Sequence, residues 1–104
     1  MAFGIGVNTE HPDRGKWQGR QEDVACDCWF SSTGMTIPRL VKFRDREGVI
    51  QSLGHIQVHE MEKIYRCGIP ATEYRCSSLY EGVEYRFRLI FHMEDCRWKL
   101  VWEN

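Results

Sequence analysis

Cys26 and Cys28 stand two apart in the run CDC, and three further cysteines follow at Cys67, Cys76 and Cys96. Two thiolates joined by Cys67, Cys76 or a histidine are the ligand types that hold tetrahedral zinc. The spacing argues the other way. Zinc loops commonly separate paired cysteines by two to four residues, whereas Cys26 and Cys28 sit at alternate positions of an apolar-polar pattern, Val24, Cys26, Cys28 and Phe30 on one side. The favoured reading is buried thiols acting as small apolar groups, with no cofactor. A cysteine-lined metal or small-molecule site is carried as the weaker alternative. Five cysteines, an odd count, also fit reduced intracellular thiols better than a disulfide framework.

Other chemistry is sparse. Cys67, before Gly68, is the thiol expected at the surface, and no base stands near it in sequence to activate it as a nucleophile. His55 and His59 occur as HIQVHE, not as the HExxH of zinc proteases. On a strand they would lie roughly 13 Å apart, too far for one ion. Neither a phosphate-binding glycine loop nor a Ser/His/Asp arrangement is recognisable, so the chain is not expected to be an enzyme.

The elements that position these residues follow from hydrophobic period. In VEYRFRLIFHMEDCRWKLVW, Val83, Tyr85, Phe87, Leu89, Phe91 and Met93 alternate with mostly polar residues, and Trp98, Leu100 and Trp102 continue the pattern. A turn at Glu94-Asp95 sets Phe91 opposite Trp98, Leu89 opposite Leu100 and Phe87 opposite Trp102. A slip of one residue would mix the faces. Glu81-Gly82 suits a two-residue hairpin turn that places Tyr80, Ser78, Cys76 and Tyr74 opposite Val83, Tyr85, Phe87 and Leu89. Upstream, Ser31-Ser32-Thr33-Gly34 and Asp45-Arg46-Glu47-Gly48 read as turns. Met35, Ile37, Val41 and Phe43 are expected on one face, with an edge or bulge at Pro38. The segment 55–67 reads as a strand with a bulge near Glu60.

The expected fold is therefore all-β, with about six or seven antiparallel strands in a meander sheet or small barrel. The alternative is α+β with one short helix near residues 58–65. Residues 1–22 read as a loosely ordered arm, in which Phe3, Ile5 and Val7 would form a short edge strand and Trp17 would anchor it; residues 23–104 read as a single β domain.

The runs CDCWFSSTG, IPRLVKFRDREGVIQSLGHIQV, GIPATEYRC and FRLIFHMEDCRWKLVW resemble a family of small uncharacterised proteins from clostridial genomes, over Asp27 to Trp102. The resemblance implies a bacterial, cytoplasmic protein and no particular activity, ligand or catalytic residue.

A formal net charge of −1 gives no global reason to expect nucleic acid or an anionic membrane. No apolar run approaches the roughly 20 residues that span a bilayer. A local patch is the exception. The expected register gathers Arg75, Arg86, Arg88, Arg97 and Lys99 on the outer face around exposed Ile90 and Val101, and Arg75 beside Arg88 calls for an anionic partner or for relief from Glu73, Glu84 and Glu103. Basic residues ringing an apolar spot suit a protein partner or a second copy of the chain. The expectation is a non-enzymatic protein-interaction module or accessory subunit. The alternative is a small nucleic-acid-binding β-barrel, for which outward-facing aromatics to stack bases are wanting.

Overall fold

A computed structural model describes residues 21–103. They form seven strands: β1 (Gln21–Phe30), β2 (Thr36–Arg44), β3 (Ile50–Leu53), β4 (Gln57–Arg66), β5 (Ile69–Tyr80), β6 (Val83–His92) and β7 (Arg97–Glu103). No helix occurs among the described residues. β1 begins two residues before Asp23, where the regular pattern was expected to start. The expected edge strand at Phe3, Ile5 and Val7 and the anchor at Trp17 lie outside the described residues.

All pairings are antiparallel, in the order β3-β2-β1-β7-β6-β5-β4. Two meanders, β1–β3 and β4–β7, are thus joined edge to edge through β1 and β7, and the sheet curls into a half-barrel. The β4–β7 meander has the expected register: Phe91 faces Trp98, Leu89 faces Leu100 and Phe87 faces Trp102, while Cys76 faces Phe87 and Tyr74 faces Leu89. Apolar pairs on one face hold that register because any slip would expose them.

Residues 57–66 form β4 rather than the alternative short helix. Good helix formers lie in this segment, but a full ladder against β5 supplies backbone hydrogen bonds and packing that a weak local propensity does not outweigh. His59 is the extra residue of a bulge between Val58 and Glu60, close to the expected position. A second bulge lies on β2: Asp27 pairs with Leu40 and Cys28 with Pro38, leaving Arg39 unopposed. Proline donates no ladder hydrogen bond, so a bulge suits it. The extra residue reverses the phase of the strand. Thr36 and Pro38 turn inward, while Met35 and Ile37, expected in the core, are exposed.

The core lies on the concave side. Trp102 is 1% exposed and meets Phe43, Tyr85 and Phe87 edge-on at 5.2, 6.1 and 5.7 Å, so one ring ties β2, β6 and β7 together. Its Nε1–H donates to Glu22 Oε2 at 2.8 Å. β3 and β4 do not pair, and the two margins of the sheet are bridged by side chains instead. Near β3, Ser78 Oγ donates to the Gly54 carbonyl at 2.7 Å and Tyr80 Oη to Gln51 Oε1 at 3.2 Å. At the opposite end Tyr74 Oη donates to the Thr36 carbonyl at 2.6 Å.

Candidate functional site

The outer face of β5–β7 has the expected register. Arg75 faces Arg88, Ser77 faces Arg86, Arg88 faces Val101, Ile90 faces Lys99 and His92 faces Arg97. Its like charges are relieved by neighbouring acids, Glu73, Glu84 and Glu103 among them, one of the two outcomes expected of the Arg75–Arg88 juxtaposition. Arg88 is held between Glu73 at 2.7 Å and Glu103 at 2.9 Å, with all three side chains largely covered. Arg75 meets Glu60 at 3.5 Å, Arg86 meets Glu84 at 3.6 Å, Arg97 meets Asp95 at 3.9 Å and Lys99 meets Asp23 at 3.7 Å. Each cation of the proposed patch therefore has an acidic neighbour. These pairs also answer the Arg75–Arg88 juxtaposition, since each arginine has its own carboxylate. Ile90 is 4% exposed and Val101 is half-buried, so the exposed apolar spot at their centre is absent.

The cysteines separate into two kinds. Cys76 is buried and Cys26 half-buried, and burial pushes both thiols up to about 12, with Cys28 adding to the rise at Cys26 and Cys26 to that at Cys76. Cys28 is shifted upward as well, first by burial and then by the charge of Asp27. A group that resists ionisation is a poor nucleophile and a poor metal ligand. Among the described residues, no group of three or more His, Cys, Asp or Glu side chains comes together in a form that would hold a metal ion. Cys67 is exposed as expected; Cys96 is also exposed, which the sequence reading missed. Both occupy tight turns with positive φ, 52° and 56°.

His55 precedes β4 with φ 49°, and the bulge at His59 breaks the simple strand spacing expected between them. His59 Nε2 and Ser77 Oγ are hydrogen-bonded at 2.7 Å. The spacing is that of a base and a serine nucleophile, but no hydrogen bond orients the other ring nitrogen among the described residues. The contact fastens the extra residue of the bulge to β5. Surface clefts among the described residues flank the sheet. One, of about 380 Å³, includes His55, Gln57, Ser77 and Glu84. Another, of about 410 Å³, opens where β1 parts from β7 beyond the Val24–Trp98 pair and includes Cys26, Cys96 and Arg97.

A surface that sequence reasoning did not assemble lies at one end of the half-barrel. β1 runs past the start of β7 after Val24, carrying the β1–β2 turn to the end that also holds the β6–β7 and β4–β5 turns. Trp29, Phe30, Met35 and Ile37 are exposed there on the β1–β2 hairpin, at 59%, 67%, 43% and 37%. Met61 and Tyr65 of β4 and Ile69 of β5 are exposed on the facing hairpin. Met61 and Tyr65 sit on the concave side, opposite Tyr74 and Pro70, where no described strand covers them. Arg39, the bulge residue, lies over the Trp29 ring at 5.0 Å and holds that ring at the rim. The available signal was Pro38: a bulge placed there reverses Met35 and Ile37 toward solvent. Comparison with protein-family models, curated proteins and solved structures gave no significant match.

Proposed function

We propose that this chain is a non-enzymatic protein-interaction module or accessory subunit whose contact surface is the open end of the half-barrel. The observation that carries the reading is the gathering of Trp29, Phe30, Met35, Ile37, Met61, Tyr65 and Ile69 at one end. The other exposed apolar residues, Val49, Ile50, Val58 and Leu79, lie toward the opposite end of their strands. Scattered single apolar residues are ordinary on a protein surface, whereas a contiguous group rimmed by polar side chains marks an interface. Tryptophan, phenylalanine, tyrosine and methionine are also the residue types enriched in interface cores. The internally paired outer face gives less support to a phosphate-binding role, and the raised thiols give little to cysteine chemistry.

Native mass spectrometry of the mildly purified chain and of a Trp29→Ser, Phe30→Ser double variant tests this reading. The parent is expected as an assembly, with itself or with a co-expressed partner, and the variant as a bare monomer of unchanged fold. An Arg75→Glu, Lys99→Glu variant is expected to assemble like the parent. A parent that is always monomeric and partnerless, or an assembly indifferent to the double variant and lost in the charge variant, defeats the proposal.

A further inference from the structure

We infer that the free edge of β4 pairs antiparallel with β4 of a second copy, about a twofold axis through Ile64, making one continuous sheet across a homodimer. This inference rests on the reading of the open end as an interaction surface and names its partner.

β4 is a ten-residue margin of the sheet, hydrogen-bonded on one side to β5 and to no described strand on the other. Such a margin is a template for strand addition. The turn geometry shows which groups are available. Arg66 and Ile69 close the two-residue Cys67-Gly68 turn, and a pair closing such a turn exchanges both of its hydrogen bonds. Alternation back along the strand leaves the N–H and C=O groups of Met61, Lys63 and Tyr65 pointing away from β5. Met61 and Tyr65 are also exposed on the concave side, at 45% and 65%, so an added strand would cover them.

Charge favours a second copy and one register, because, of the centres from Met61 to Tyr65, only Ile64 both avoids like charges and sets opposite charges at facing positions. A twofold axis perpendicular to the sheet keeps faces matched, so position i meets a position of the same parity in the copy. Centred on Met61, the pairing sets Glu60 against Glu62. Centred on Glu62 or on Lys63, it sets like charges against each other on the axis itself. Like charges directly opposite are destabilising. Centred on Ile64, the conflict disappears: Ile64 meets Ile64, Glu62 takes the register position opposite Arg66, Lys63 the position opposite Tyr65, and Met61 the position opposite Cys67. Two opposite-charge pairs and two lysine–tyrosine pairs flank an apolar centre. Lys63 on the concave side blocks the competing register, as charged residues on edge strands do.

Sedimentation velocity over a concentration series, with three variants, tests this. The parent is expected to dimerise. Lys63→Pro removes an N–H that points to the free edge and not to β5, so β4 should stay in the sheet while the dimer is lost. Glu62→Arg is expected to weaken the dimer about tenfold, and Glu62→Arg with Arg66→Glu to restore it. In a Cys67→Ser, Cys96→Ser background, Ile64→Cys should form a covalent dimer under mild oxidation and Lys63→Cys should not. A parent that stays monomeric up to its solubility limit overturns the inference. So does a dimer that survives Lys63→Pro or fails to crosslink at position 64. If that surviving dimer is lost in the Trp29→Ser, Phe30→Ser variant, the interface lies on the hairpin tip and the broader proposal stands without this one. A monomeric, partnerless parent removes both.

Discussion

The two ends of the half-barrel are built from the same strands and finished differently. At the end near β3, Val41, Leu53, Phe43 and Trp102 are almost wholly buried, and two side-chain hydrogen bonds tie the β3 margin to β5. At the other end the Tyr74 hydroxyl donates to the Thr36 carbonyl across the gap, and seven large apolar side chains are exposed. Large exposed apolar side chains are thus fewer toward the closed end, where Val49, Ile50, Val58 and Leu79 stand apart, than where the sheet gapes. Stability is therefore expected to reside at the closed end, and association at the open one. Each prediction below separates those two roles.

The largest effect is expected from Trp102→Ala. The indole is 1% exposed, contacts three aromatic rings and donates to Glu22, so its removal leaves a cavity and an altered polar contact. The expected loss is about 3–5 kcal/mol in chemical denaturation. A loss below about 1 kcal/mol would mean that the closed end does not anchor the fold.

Alkaline pH is expected to act through the buried thiols. In the folded chain Cys26 and Cys76 hold their protons to about 12, whereas their ordinary value is 9.0. Between those limits the unfolded chain gives up protons that the folded chain keeps, so stability falls as pH rises. The contribution is flat below about pH 9 and declines above it, by roughly 1 kcal/mol for each pH unit for Cys76 and by less for the more exposed, better screened Cys26. Urea midpoints measured across this range should fall less steeply in a Cys76→Ala variant. Equal slopes would show that Cys76 does not carry the effect.

Tyr74→Phe addresses the side-chain tie across the open end. Thr36 is 8% exposed, so its carbonyl loses a partner with limited access to water. The expected cost is about 1–3 kcal/mol. Hydrogen exchange should quicken in β2 near Thr36 more than in β3 near Leu53. Uniform quickening would mean that the two ends do not open separately.

These differences bear on what the sequence alone conveyed. The β4–β7 meander was legible almost residue by residue, because a strict two-residue period and a Glu81-Gly82 turn leave one register that keeps Phe87, Leu89 and Trp102 together. The all-β class followed from the same signal. The open end was not legible, for two physical reasons. Arg39 enters β2 as an unopposed residue and inverts the faces of Met35 and Ile37, a change of phase that no periodic template contains. The join of β1 to β7, which carries the hairpin tip to the rim, pairs residues about 80 positions apart, such as Gln21 with Val101. The basic face was legible in its register and in its flanking acids: Glu73 and Glu103 stand beside Arg88 and Glu84 beside Arg86, whereas the burial of Ile90 was not foreseen.

The smallest stability effect, and the sharpest test of the division of roles, is expected from Phe30→Ser. Its side chain is 67% exposed in the single chain, so little apolar area returns to water when it is cut back. Surface substitutions of this kind change stability by about 0.5 kcal/mol or less. If Phe30 belongs to an interface core, association withdraws the ring from water, and that step is worth about 1.5–3 kcal/mol. The variant should therefore bind its partner roughly ten- to a hundredfold more weakly while its denaturation midpoint stays at the parent value. Isothermal titration and urea unfolding on the same sample decide the matter. A shifted midpoint with unchanged affinity would place Phe30 in the fold rather than in the interface, and the two ends would then differ only in how tightly they pack.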